Sequence, residues 1–172
     1  MIPVMINHRH LYTHYISFSH FSIPPSVTVD FTSSGIAPLS SSIQDIMALQ
    51  DAVVAYFYFD FKDTSKQDLC NVLRSLLTQL SIRSDSYCDI LFDVHQAHNN
   101  GADNLSTKAM IKCLTEMLAL PDQGPVYIVL DALDECPNTS GIPSAREDVL
   151  DFLKDLVNLR LSDLHICVSS RP

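Results

Sequence analysis

The stretch Val126–Glu135, VYIVLDALDE, decides how the rest of the chain is read. Its first five residues are apolar β-formers without polar alternation, the pattern of a strand buried inside a parallel sheet. The run then meets Asp131, and Asp134 and Glu135 follow in the next turn. An acid held directly after a buried strand presents a hard oxygen to a magnesium ion or to its bound water. A second acid a few residues on, Asp134 or Glu135, can orient or deprotonate a water. A lone strand closed by a solvated acidic turn has the same look, so the flanking sequence has to choose between the two readings.

Downstream, Leu164–Pro172, LHICVSSRP, gives a second apolar strand that ends in Ser169, Ser170 and Arg171. Upstream, Ala52–Phe59 is a third strand, rich in Val, Tyr and Phe and closed by Asp60. Amphipathic stretches lie between these strands. Thr64 with Gln67 predicts a capping box that opens a helix whose apolar positions Leu69, Val72, Leu73, Leu76, Leu77 and Leu80 share a face. Further helices are predicted over Asp85–His98 and Ser106–Leu120, parted by Asn99-Asn100-Gly101. A second capping box, Ser144 with Glu147, opens a helix to about Leu159. A short helix is predicted over Leu39–Gln50, and Val27–Phe31 is the candidate first strand. Strands alternating with helices predict an α/β fold, a parallel sheet with helices on both faces.

The bulk numbers fit one such domain. A chain of 172 residues can bury about 70% of the surface its unfolded form exposes. Acids outnumber Lys plus Arg by 20 to 11, and the net charge of -9 disfavours phosphate backbones, so nucleic acid is not an expected partner. The longest apolar run, Ala52–Phe59, is far below the roughly 18–20 residues that cross a bilayer. The expectation is a protein without a membrane span, in the cytoplasm. Five cysteines with no C-x-x-C pair read as buried thiols of a reducing intracellular compartment. Residues 1–38 have a different character: up to position 29 there is no acid, one arginine and the four histidines His8, His10, His14 and His20. This part is expected to be a poorly ordered leader, and residues 39–172 the domain.

In a parallel sheet, ligands bind outside the carboxyl ends of the strands. Right-handed crossovers would bring Asp60, the acids Asp131, Asp134 and Glu135, and the Ser169–Arg171 segment to one rim. Asp131 is the candidate magnesium and nucleotide ligand, Asp134 and Glu135 the candidate catalytic acids, and Arg171 the candidate counter-charge for a phosphate. Asp60 reads as structural.

The segments VYIVLDALDECP, LHICVSSRP and AVVAYFYFDFKDTSKQDLCNVLRSLLTQL together resemble the NACHT NTPase module of STAND-type proteins, nearest to the fungal group with a nephrocystin-like N-terminal domain. The similarity runs from about Ser40 to Pro172. It implies a P-loop NTPase-like three-layer fold with magnesium and ATP or GTP as cofactors. It also implies that Asp131 belongs to the Walker B element, Asp134 and Glu135 to its acidic extension, and Arg171 to the sensor after the fourth strand.

The departures from that pattern weigh as much as the match. A phosphate loop needs G-x-x-x-x-G-K-S/T, whose backbone N–H groups wrap the phosphates while its lysine reaches the outer pair. No glycine of this chain is followed by lysine, and Thr32–Asp45 reads TSSGIAPLSSSIQD where the loop should be. The chain also reaches Pro172 without the fifth strand that the resemblance implies, which leaves Leu164–Ser169 expected at or beside a sheet edge. The reading is a truncated or degenerate NACHT-type nucleotide-binding domain without ATPase activity. Two alternatives stay open. One is an active ATP- or GTP-hydrolysing signalling module that completes its site with an unusual loop or a partner's loop. The other is a non-enzymatic decoy that pairs with full-length NACHT or STAND proteins through an exposed edge at Ile166 and Val168.

Overall fold

The computed structural model describes residues 30–32, 52–98, 105–138 and 143–171. Four parallel strands, β1 (Asp30–Thr32), β2 (Val53–Tyr58), β3 (Val126–Asp131) and β4 (Leu164–Ser169), form one sheet in the order β1-β4-β3-β2. Helices α1 (Leu69–Ser81), α2 (Asp85–Ala97) and α3 (Thr107–Leu118) connect β2 to β3, and α4 (Ala145–Asn158) connects β3 to β4. The α/β class read from the sequence is the class observed. No helix among the described residues is long and apolar enough to cross a membrane.

Register sorts the strand residues into two faces. Paired positions in a parallel ladder share a face, so Val53, Val126 and Leu164 lie in line, followed by Ala55, Ile128 and Ile166, then Phe57, Leu130 and Val168. This face forms a single core with Val72, Leu73, Leu76 and Leu80 of α1, Met110, Leu114 and Met117 of α3, and Val149, Phe152 and Leu156 of α4. Each such side chain contributes roughly 1.5–3 kcal/mol through burial. The path β2 to β3 to β4 advances in one direction across the sheet, so right-handed crossovers place all of these helices on the same side. The sequence predicted helices on both faces; among the described residues they cover one. The connection from β1 to β2 runs the other way across the sheet, and the helix predicted over Leu39–Gln50 lies there, outside the described residues. So do the turn at Asn99-Asn100-Gly101 and residues 1–29. On the opposite face the rings of Tyr127 and His165 stack at 4.5 Å with planes 14° apart, and Tyr56 is 53% exposed. Burial holds the His165 imidazole below its ordinary pKa.

Two of the predicted boundaries need comment. The capping box at Ser144 and Glu147 is present, with Ser144 N donating to Glu147 Oε2 at 2.8 Å and Glu147 N donating to Ser144 Oγ at 3.2 Å. The one predicted at Thr64 and Gln67 is not. Thr64–Lys66 closes a single 3-10 turn capped by Asp63, and α1 begins later with Asp68 as its cap, accepting from Asn71 N at 2.8 Å. Gln67 is occupied elsewhere, since its amide donates to the carbonyls of Phe61 and Asp60 at 2.7 and 3.2 Å.

The strand order locates the edges. β1 overlaps the candidate Val27–Phe31, falls within the stretch read as a leader, and pairs with Cys167–Ser169. Among the described residues β4 is therefore second from the edge, within the expectation of a strand at or beside it, but it is flanked by β1 and β3, and Ile166 and Val168, expected on an exposed edge, are buried. Opposite β1, the outer strand among the described residues is β2.

Candidate functional site

Because the strands are parallel, β2, β3 and β4 all end at one rim, and the predicted acids and Arg171 meet there. Asp131 closes β3 and Ser169 closes β4. Between Asp131 and the next acids the backbone reverses at Ala132, which is left-handed at φ 57°, a conformation that costs a residue with a Cβ about 1–2 kcal/mol. The reversal turns Ala132 N toward Ser169 Oγ, to which it donates at 3.0 Å, while the same hydroxyl donates to Asp131 Oδ1. Ser169, buried at the strand end, thus fixes Asp131 from the neighbouring strand.

The 3-10 turn Leu133–Glu135 then carries both remaining acids to Arg171. Arg171 N donates to Asp134 Oδ1 at 2.9 Å, its Nε to Asp134 Oδ2 at 2.8 Å, and its Nη2 to Glu135 Oε1 at 2.8 Å. Glu135 Oε2 in turn accepts from Phe61 N, just past β2, at 3.3 Å. One clasp therefore ties together the ends of three strands. Burial alone would raise the Asp134 pKa, but the backbone N–H and guanidinium of Arg171 outweigh it and hold the carboxyl below the usual range. Hydrogen bonding to Asp134, with the charges of Asp134 and Glu135, raises Arg171 in the same way. At the end of β2, burial raises the Tyr58 hydroxyl, and the charges of Glu135, Asp60 and Asp131 add to it.

A second arginine, which the sequence reading passed over, holds this loop from behind. Arg146, in the first turn of α4, donates from Nε to Cys136 O at 3.0 Å, and from Nη2 to Asp134 O at 2.6 Å and Cys136 O at 2.8 Å. A cation in the first turn of a helix opposes the helix dipole. Its presence directly after a predicted cap was the available signal that it serves something else. Cys136 is buried, its Sγ contacts Gln67 O at 3.3 Å, and burial pushes the thiol up to about 11. Asp60 serves its own turn, accepting from Lys62 N at 2.9 Å.

Chemically, the rim offers two kinds of group. Asp131 and Ser169 are paired hard oxygens, suited to a magnesium ion that keeps most of its waters. Asp134 and Glu135 are paired with the single cation Arg171, which leaves the cluster one negative charge in excess. Among the described residues, no group of three or more His, Cys, Asp or Glu side chains is placed to hold a metal ion. In comparisons with known proteins, a family model described as Nephrocystin 3, N-terminal matches residues 33–171. No curated protein matches, and no solved structure matches.

Proposed function

The chain belongs to the nephrocystin 3 N-terminal family, and from that membership we propose that it is a NACHT-type, P-loop-like nucleotide-binding domain whose phosphate site is incomplete and does not hydrolyse ATP or GTP. Three features support the ancestry. The first strand lies beside the fourth; the third ends in Asp131; and an arginine follows the fourth. Asp131, seconded by Ser169, would hold the magnesium of a bound nucleotide. Such an ion would draw phosphate oxygens in and offset their charge.

The observation that carries the loss of activity is the clasp. Arg171 is the group expected to meet a phosphate, and its Nε and Nη2 are already bonded to Asp134 and Glu135. An arriving phosphate must either displace these carboxylates from Arg171 or share the guanidinium with them, and in both cases it sits beside them. Like charges 4 Å apart repel by about 4 kcal/mol at an effective dielectric near 20. An intact loop would answer this with a lysine and a cradle of backbone N–H groups. No Gly-Lys pair exists in the 172 residues.

The test is magnesium-dependent phosphate release from ATP and GTP by the purified chain and its Asp131→Ala variant. The proposal expects both to match the protein-free rate. Release above that rate, lost in Asp131→Ala, would overturn it in favour of an active module.

A further inference from the structure

Strand β2, VVAYFY, contains no charge, proline or glycine. Such a strand at a sheet edge is a template for pairing with another chain unless something guards it. Val53 N and Phe59 N donate to Pro125 O and Asp131 O on the β3 side. The odd-numbered residues therefore face β3, and Val54, Tyr56 and Tyr58 turn their N–H and C=O groups outward. At the middle of these three sits a side-chain amide. Gln79, on α1, accepts from Tyr56 N at 3.1 Å and donates to Tyr56 O at 2.6 Å, while its second N–H is fixed on Ser75 Oγ at 2.9 Å. A carboxamide thus occupies the place that a neighbouring strand's peptide group would take.

We propose that the outer edge of β2 is a strand-pairing surface held shut by Gln79, and that the partner it fits is the same edge of a second copy, antiparallel about Tyr56. In that arrangement the two Tyr56 residues exchange both backbone bonds, and each Val54 faces the other copy's Tyr58. Asp60 of each copy falls opposite Ala52, so no like charges meet within the ladder. Tyr56, 53% exposed, stacks on its counterpart. The pairing uses none of Asp131, Asp134, Glu135, Ser169 or Arg171, so it stands or falls apart from nucleotide binding.

The test uses the full chain as wild type, Gln79→Ala, and Gln79→Ala with Tyr56→Lys, each checked for helical circular dichroism. Sedimentation velocity gives association, and amide exchange gives protection at Tyr56. In dilute Gln79→Ala the Tyr56 amide should exchange about tenfold faster than in wild type, reflecting one lost hydrogen bond. On concentration the variant should dimerise at least tenfold more strongly than wild type. Adding Tyr56→Lys, which sets two ammonium groups face to face, should return association to the wild-type level. A folded Gln79→Ala with unchanged association, or a dimer that survives Tyr56→Lys, would overturn the proposal. Should Gln79→Ala fail to fold, Gln79→Glu, which keeps the stem and the acceptor but loses the donor, is judged by the same two readouts.

Discussion

Replacing Arg146 with methionine keeps an unbranched stem about as long as the aliphatic part of arginine and removes the donors and the charge of the guanidinium. Three contacts are lost, and the carbonyls of Asp134 and Cys136 are left without the guanidinium. A hydrogen bond to a charged group contributes about 1.5–3 kcal/mol, and water can reach part-buried carbonyls to recover some of it, so the net loss should be about 2–3 kcal/mol. In a chain of this size, that lowers Tm by about 5–10 °C. The sign discriminates between roles. If Arg146 acted only through its charge at the start of α4, its removal would relieve the helix dipole and stabilise the fold by a few tenths of a kcal/mol. Arg146→Lys should fall between wild type and Arg146→Met, since an ammonium cannot reproduce the planar fork. Urea denaturation supplies the free energy. Amide exchange at Ala132 and Arg171, whose N–H groups bond across to Ser169 and Asp134, reports whether the acidic turn loosens. A change below about 0.5 kcal/mol with both amides as slow as in wild type would refute the assignment of Arg146 as the residue that positions this turn.

Further outcomes follow from the same contacts. Tyr87 is fully buried and its hydroxyl has no hydrogen-bond partner among the described residues, so Tyr87→Phe should raise stability in urea by about 1–2 kcal/mol; a loss would show that the hydroxyl has a partner in solution. Ser144→Ala removes the side chain that caps α4 and should cost about 1 kcal/mol, read from the same denaturation curves. The Asp134 carboxyl is held below its ordinary pKa, so its contribution is complete above the unfolded value of about 4 and is lost as pH falls through the lower folded value. The deficit of Asp134→Asn relative to wild type should be constant above about pH 5 and shrink below about pH 4. A deficit independent of pH would mean that the charge on Asp134 is not what Arg171 holds.

Much of this molecule was legible in its sequence, because the strongest signals are local. The apolar runs at β2, β3 and β4 and the periodic leucines of α1 depend on neighbouring residues alone, as does the Ser144 cap. The cap of α1 was misread for the same reason: Thr64 and Gln67 have the spacing of a capping box, but the carbonyls of Asp60 and Phe61 compete for Gln67 and win. The one-sided helix layer among the described residues follows from strand order, which no local pattern encodes. At the rim, Asp131, Asp134, Glu135 and Arg171 were each visible as candidates. The pairing of Arg171 with Asp134 and Glu135 was not, because it joins residues 36 and 37 positions apart. The Gln79 contact with Tyr56 spans 23 positions, and nothing in the helical pattern around Gln79 marks it as a guard. Residues that stand ready for a ligand and residues that have already paired with each other read alike along a sequence.

The most direct test of the central claim is the titration of the full chain with a fluorescent ATP analogue in the presence of magnesium, repeated with Asp131→Ala. A phosphate site in which Arg171 is clasped by Asp134 and Glu135, with no Gly-Lys loop to oppose the acids, predicts no saturable binding in the micromolar range for either protein. Micromolar binding by the wild type that Asp131→Ala abolishes would contradict the account.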